Sequence, residues 1–188
     1  MNATTTQTLL TLEEFLKLPE TKPASEYING EIFQKPMPKG KHSRLQIKFC
    51  TSINDLAENK KIAYAFPELR CSFGIRSIVP DVAVFRWSRI PFDLNGEPPN
   101  DFLLFPDWTI EILSPEQSSN RVIGNILYCL KHGSQLGWLV DPEDRSIVVF
   151  RPDQQPELLQ AEDSLPVLPD IPLTLTVNQV FAWLKMGS

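Results

Sequence analysis

Two runs of this chain are largely apolar, yet each carries an acid at its centre: "SIVPDVAVF" (residues 77–85) and "DWTIEILSPE" (107–116). Such runs suit strands of a sheet covered on both faces, where a carboxylate is costly unless it is paired. In an extended chain Trp108, Ile110 and Ile112 point one way, and Thr109, Glu111 and Leu113 the other. Pro80 cannot donate to a ladder, so a strand start or a distortion is expected beside Asp81. Two carboxylates brought together from adjacent strands repel unless a proton or a cation lies between them. Hard oxygen ligands suit Mg2+ or Mn2+, which can activate water and stabilise charge developing on a phosphate. The competing reading is that each acid caps a loop amide or pairs with an arginine such as Arg70 or Arg76. The pattern alone leaves both open.

The remaining elements follow from periodicity and turn chemistry. Thr11 and Glu14 form a capping box ahead of "LEEFLKL", a short helix with Leu12, Phe15 and Leu16 on one face. "SEYINGEIFQK" reads as a hairpin about Asn29-Gly30, a dipeptide suited to a type I′ turn. Leu45, Phe49, Ile53 and Leu56 recur at helical spacing and predict a long helix over residues 41–59. Two extended segments follow, with a bend near residues 74–77, and then a loop over 88–106 rich in Pro, Asn and Asp. After the "DWTIEILSPE" strand come a helix ending at Gly133, a hairpin in "LGWLVDPEDRSIVVFRP", and a last helix capped by Thr176 and Gln179. Trp138 is expected in the core, and Asp141 in the turn to Pro142. The order predicts an α+β fold, an α/β sandwich with a central mixed β-sheet flanked by helices, plus an N-terminal helix and hairpin.

The chain has 188 residues, 42% hydrophobic and 22% charged, which describes one globular domain with a sizeable core. Within it residues 11–40 form the N-terminal arm, 41–151 the core and 152–188 a C-terminal extension. The absence of a signal-like N-terminus or a long apolar run points to a cytoplasmic protein with no membrane partner. Cys50, Cys71 and Cys129 are too scattered for a zinc site or a disulfide framework and read as free core thiols. A net charge of −5 argues against indiscriminate nucleic-acid binding but not against a nuclease, whose metal site is itself acidic.

The ordered set "EYINGEI", a helix starting near His42, "VPDVAVF", "IEILSP", a helix ending in Gly133 and "WLVDP" resembles a restriction-endonuclease family expanded in photosynthetic bacteria. That family belongs to the PD-(D/E)xK nuclease superfamily, and the resemblance spans roughly residues 11–151. It implies a restriction-endonuclease-like core in which Asp81 and Glu111 ligate Mg2+ or Mn2+. It also implies that Glu31, which ends the tight hairpin, faces the site; the competing reading is an exposed strand-end carboxylate. The superfamily lysine would stand two residues after the acid, where this chain has Leu113. Members of the family often carry it on the following helix, where the matching position is Asn125. Asparagine can hydrogen-bond a water but supplies no positive charge. Lys131 projects from another helix face, which leaves Lys39 and Lys41 as cations that could reach the site across space.

His42, at a helix start, could touch a phosphate or a metal-bound water, or simply be solvated; Gln117 could add a polar group to the cleft. The expected function is a metal-dependent endonuclease hydrolysing DNA phosphodiester bonds, impaired to the extent that Asn125 fails to replace the lysine. The alternative is a catalytically inactive module of the same fold that binds DNA or a protein. A third reading is a purely structural oligomerising protein, in which apolar residues of the 88–106 loop and the "VFAWLKM" helix form a subunit contact; the resemblance implies a homodimer.

Overall fold

The computed structural model describes residues 10–115 and 117–187; the N-terminal stretch read above as lacking a leader lies almost wholly outside them. The first elements are α1 (Leu12–Phe15), β1 (Ser25–Ile28), β2 (Glu31–Gln34) and α2 (Gly40–Ala57). Next come β3 (Ala63–Pro67), β4 (Cys71–Phe73), β5 (Arg76–Ile78), β6 (Val82–Arg86) and β7 (Trp108–Ile112). The chain continues through α3 (Ser119–His132), β8 (Leu136–Asp141), β9 (Ser146–Phe150), β10 (Glu157–Gln160) and α4 (Val177–Ala182). The fold is α+β, with a six-stranded mixed sheet ordered β10-β9-β8-β7-β6-β3. Its one parallel pair, β7 with β8, is joined through α3.

Beside the expected central mixed sheet stands a second one, ordered β2-β1-β5-β4, built on the N-terminal hairpin. Each extended segment of the sequence divides between the two. "AYAFPELRCSF" supplies β3 to the large sheet and β4 to the small one, the break falling at Pro67 and at Glu68, whose φ is 46°. "RSIVPDVAVF" likewise supplies β5 and then β6, with Pro80 between them. The hairpin folds as expected: Asn29 and Gly30 take φ of 53° and 93°, and Ser25 to Ile28 pair with Gln34 to Glu31. The small sheet docks the hairpin on the core through the Tyr27–Ser77 pairing.

The large sheet separates two apolar layers. Val82, Val84, Trp108, Ile110 and Ile112 face Leu45, Phe49 and Ile53 of α2. On the other face Ala83 and Phe85 pack with Cys71, Phe73 and Cys129, and Leu139 packs with Val122 and Ile126 of α3. The three cysteines are buried and free. Val177, Val180 and Phe181 of α4 lie in the α2-side core, so this helix is not the exposed contact surface expected of it. Leu94 and Leu103 of the 88–106 loop do remain exposed, as does Leu16 beyond the end of α1. Among the described residues no helix is long and apolar enough to cross a membrane.

Candidate active site

The strand register brings the two acids together. Val82 stands opposite Ile110 and Ala83 opposite Thr109, so the register carried on by one residue sets Asp81, just before β6, beside Glu111. Both are almost fully buried. Asp81 Oδ2 accepts the Ile112 N–H at 2.7 Å and lies 3.0 Å from His42 Nε2, while Gln46 donates to the Asp81 carbonyl at 2.8 Å. Neither Arg70 nor Arg76 serves the acids. Arg70 forks onto Glu20, and Arg76 lies over the Tyr128 ring.

The partner of both acids is Lys35, which follows β2 in the N-terminal hairpin. Its ammonium donates to Asp81 Oδ1 at 2.7 Å and to the Val79 carbonyl at 2.6 Å, and lies 3.7 Å from Glu111 Oε2. The two carboxylate oxygens are thus separated by at most the sum of the two ion-pair distances, short of the ~7 Å that would defeat a shared metal with ligand bonds near 2.1–2.5 Å. Burial by itself would depress the lysine pKa, but attraction from Asp81, Glu111 and Glu26 overrides it and raises the pKa. Burial pushes the Glu111 pKa well above the usual carboxylate range, Lys35 opposing and Asp81 reinforcing it. Asp81 goes the other way: burial opposes ionisation, but Lys35 and His42 together hold it well below the usual value.

A third acid, Glu26 of β1, is buried beside this group, with Oε1 accepting the Val79 N–H at 2.9 Å and Oε2 the Asn125 Nδ2 at 3.0 Å. Asn125 therefore faces the site, as the position carried over from the family implies. Glu31 does not. It is exposed and pairs with Ile28 next to the turn; it shares a face with Glu26 and Lys35 but sits at the far end of the strand. His42 is buried against Asp81 rather than solvated at the helix start. Gln117 lines a cleft of about 470 Å³ with Lys22, Lys35, Met37, His42 and Asp81. Lys41 turns away to an exposed pair with Glu143 at 2.8 Å, and Lys39 lines the neighbouring groove beside Leu113 and Pro142. The cation that the described residues set against the two acids is Lys35, and neither it nor Glu26 is among the residues singled out from the sequence. Antiparallel register about Asn29-Gly30 was the available signal, since it puts residues 26, 33 and 35 on one face.

The donor set suits a hard cation. Among the described residues Glu111 Oε1 is buried without a hydrogen-bond partner, and Asp81 Oδ1 accepts from the Lys35 ammonium. Among the described residues no three His, Cys, Asp or Glu side chains converge as metal ligands. A cation here would take two protein carboxylates and complete its shell from water and substrate, the habit of Mg2+ rather than of zinc.

Comparison with known proteins points to a nuclease family. No curated protein matches the chain. The crystal structure of a "putative nuclease belonging to DUF820" from Anabaena variabilis ATCC 29413 is similar over 94% of this chain and 99% of that one, with 54% identity and a TM-score of 0.90. The model of the Uma2 family, described as "Putative restriction endonuclease", matches residues 12–178. The chain belongs to that Uma2 family.

Proposed function

We propose that the protein is a divalent-metal-dependent endonuclease that hydrolyses phosphodiester bonds of DNA, with Asp81 and Glu111 as the metal ligands and Lys35 as the catalytic cation. The observation that carries this reading is one lysine ammonium shared by two buried carboxylates, Lys35 and Asp81 lining a cleft with Glu111 behind them. When bound, Mg2+ or Mn2+ would polarise the phosphate and lower the pKa of the attacking water.

The side chains divide the remaining work. Ile112 N–H and His42 occupy Asp81 Oδ2, which fixes the carboxylate plane and leaves Oδ1 toward Lys35. Lys35 commits two of its three donors to Asp81 and Val79. The third, together with the donor on Asp81 Oδ1 if a metal takes that oxygen, is available to a water or to a phosphate oxygen on which negative charge develops. This supplies the positive charge that Asn125 lacks. Gln117 and Lys22 line the same cleft and can contact the nucleic-acid backbone, a local attraction within a chain of net charge −5.

Plasmid nicking with Mg2+ and with Mn2+ tests this, comparing wild type with Glu111→Ala and Lys35→Met. Wild-type nicking that falls at least ~100-fold in both variants is the expected result, the scale of losing a metal ligand or a charge-stabilising donor. Nicking by Glu111→Ala at the wild-type rate would remove the metal-site reading.

A further inference from the structure

We infer that Glu26 and Asn125 are positioning residues that hold Lys35 in place through Val79; the catalytic meaning of this rests on the nuclease reading above. Residues 79–81 link β5 of the small sheet to β6 of the large one, and with Pro80 in the middle the link has few ladder bonds of its own. Val79 is therefore held by side chains at both of its polar groups. Its N–H is taken by Glu26 Oε1, and its carbonyl receives the Lys35 ammonium. Rotation of Val79 would move the second of the two acceptors that aim the ammonium, the first being Asp81 Oδ1.

Glu26 can do this only if it is itself fixed. Asn125 Nδ2 holds Oε2, reaching from α3 across to β1, and the bond is buried at both ends. Asn125 Oδ1 is buried with no partner, so this amide serves the contact with Glu26 through its donor side. The helix position thus carries a neutral clamp, while the hairpin carries the charge. A lysine at 125 would compete with Val79 for Glu26.

The two clamp residues allow an exchange test. Glu26→Leu removes both bonds. Glu26→Gln keeps an acceptor for Val79 and can donate to Asn125 Oδ1 once that amide turns over. Asn125→Asp opposes two carboxylates, and the Glu26→Gln/Asn125→Asp double variant restores one donor facing one acceptor. The direct readout is the rate at which acetic anhydride labels Lys35 in the metal-free, folded protein, by mass spectrometry, with exposed Lys41 as internal reference.

Lys35 labelling is expected to rise roughly tenfold or more in Glu26→Leu and Asn125→Asp, the scale of one hydrogen bond to a charged group, and to return near wild type in Glu26→Gln and the double variant. Nicking should follow with kcat down ~10–100-fold and KM little changed. Lys35 as protected in folded Glu26→Leu as in wild type would overturn the inference; should that variant not fold, Asn125→Asp against the double variant decides in the same way. Labelling settles the clamp whether or not the protein nicks DNA, and a wild type silent in nicking counts against the nuclease reading alone.

Discussion

Lys35→Met separates a working charge cluster from a decorative one. The substitution keeps the aliphatic stem and removes a largely buried ammonium (12% exposed) that hydrogen-bonds Asp81 and Val79 and faces Glu111. Removing one partner of a buried pair leaves an uncompensated charge and costs about 3–5 kcal/mol. The lower end applies, because Glu111, already pushed toward protonation by burial, can take up a proton. For a chain of this size ~3 kcal/mol corresponds to a fall in Tm of roughly 6–12 °C. The pH dependence has a definite sign. Lys35 lowers the folded-state pKa of Asp81, so the stability this contributes is present above the unfolded carboxylate value and is lost as pH falls through the lowered one. The wild-type advantage should be full at pH 7.5 and shrink in acid, as the carboxylates that need the ammonium become neutral. Millimolar Mg2+ or Mn2+ should also raise the Tm of the variant more than that of the wild type, since no ammonium then competes for Asp81 Oδ1. Calorimetric melts from pH 2 to 8, with and without metal, measure all three effects. A variant as stable as wild type at pH 7.5, or a deficit that grows in acid, would refute the coupling of Lys35 to the acids.

Glu111→Gln should raise Tm at pH 7.5 while abolishing nicking. The folded-state pKa of this group lies above its unfolded value, so ionisation costs stability over that interval, and the gain should vanish once pH falls below the unfolded value. Gly137→Ala would drive its new methyl into Ile126 Cγ2, next to Asn125, and should cost about 1–3 kcal/mol in a denaturant titration. Adding Ile126→Leu, which removes that methyl branch, should recover part of the loss. Lys41→Ala breaks only an exposed pair with Glu143 and should change neither Tm nor nicking measurably; a large effect on nicking would reopen Lys41 as the cation.

Period and turn chemistry made most of the fold legible. The alternation in "WTIEI" placed Trp108, Ile110 and Ile112 on the α2 side and Glu111 opposite, and Asn29-Gly30 marked the hairpin. Both helices around the site, residues 41–59 and "NRVIGNILYCLKHG", agree with α2 and α3 to within two residues at each end. The small sheet was not legible, because its strands β4 and β5 have only three residues each and are too short to show a period. What identifies them is where the chain must turn, at Pro67-Glu68 and at Pro80, and those signals mark breaks without saying that each side joins a different sheet. Loop 88–106 has a similar blind spot: Phe102 is buried against Phe66 and Phe85 and bridges to Cys71, a contact that only tertiary packing specifies.

For the site, the acids were readable because a lone carboxylate in an apolar strand is an exception. A lysine beside a proline at the end of a hairpin is not. Lys35 lies 46 residues before Asp81, and their meeting depends on the docking of β1 against β5. The same docking explains why the charges stand where they do. Asp81 and Glu111 belong to the large sheet, Glu26 and Lys35 to the hairpin of the small one, and residues 79–81 are the joint between the sheets. Separated, the large sheet keeps two facing acids without a counter-ion, and the hairpin keeps a lysine without its partners. Joined, the ammonium bonds Asp81 across the seam while Glu26 seals Val79 from the other side. The contact that attaches the hairpin to the core is thus also the contact that assembles the site.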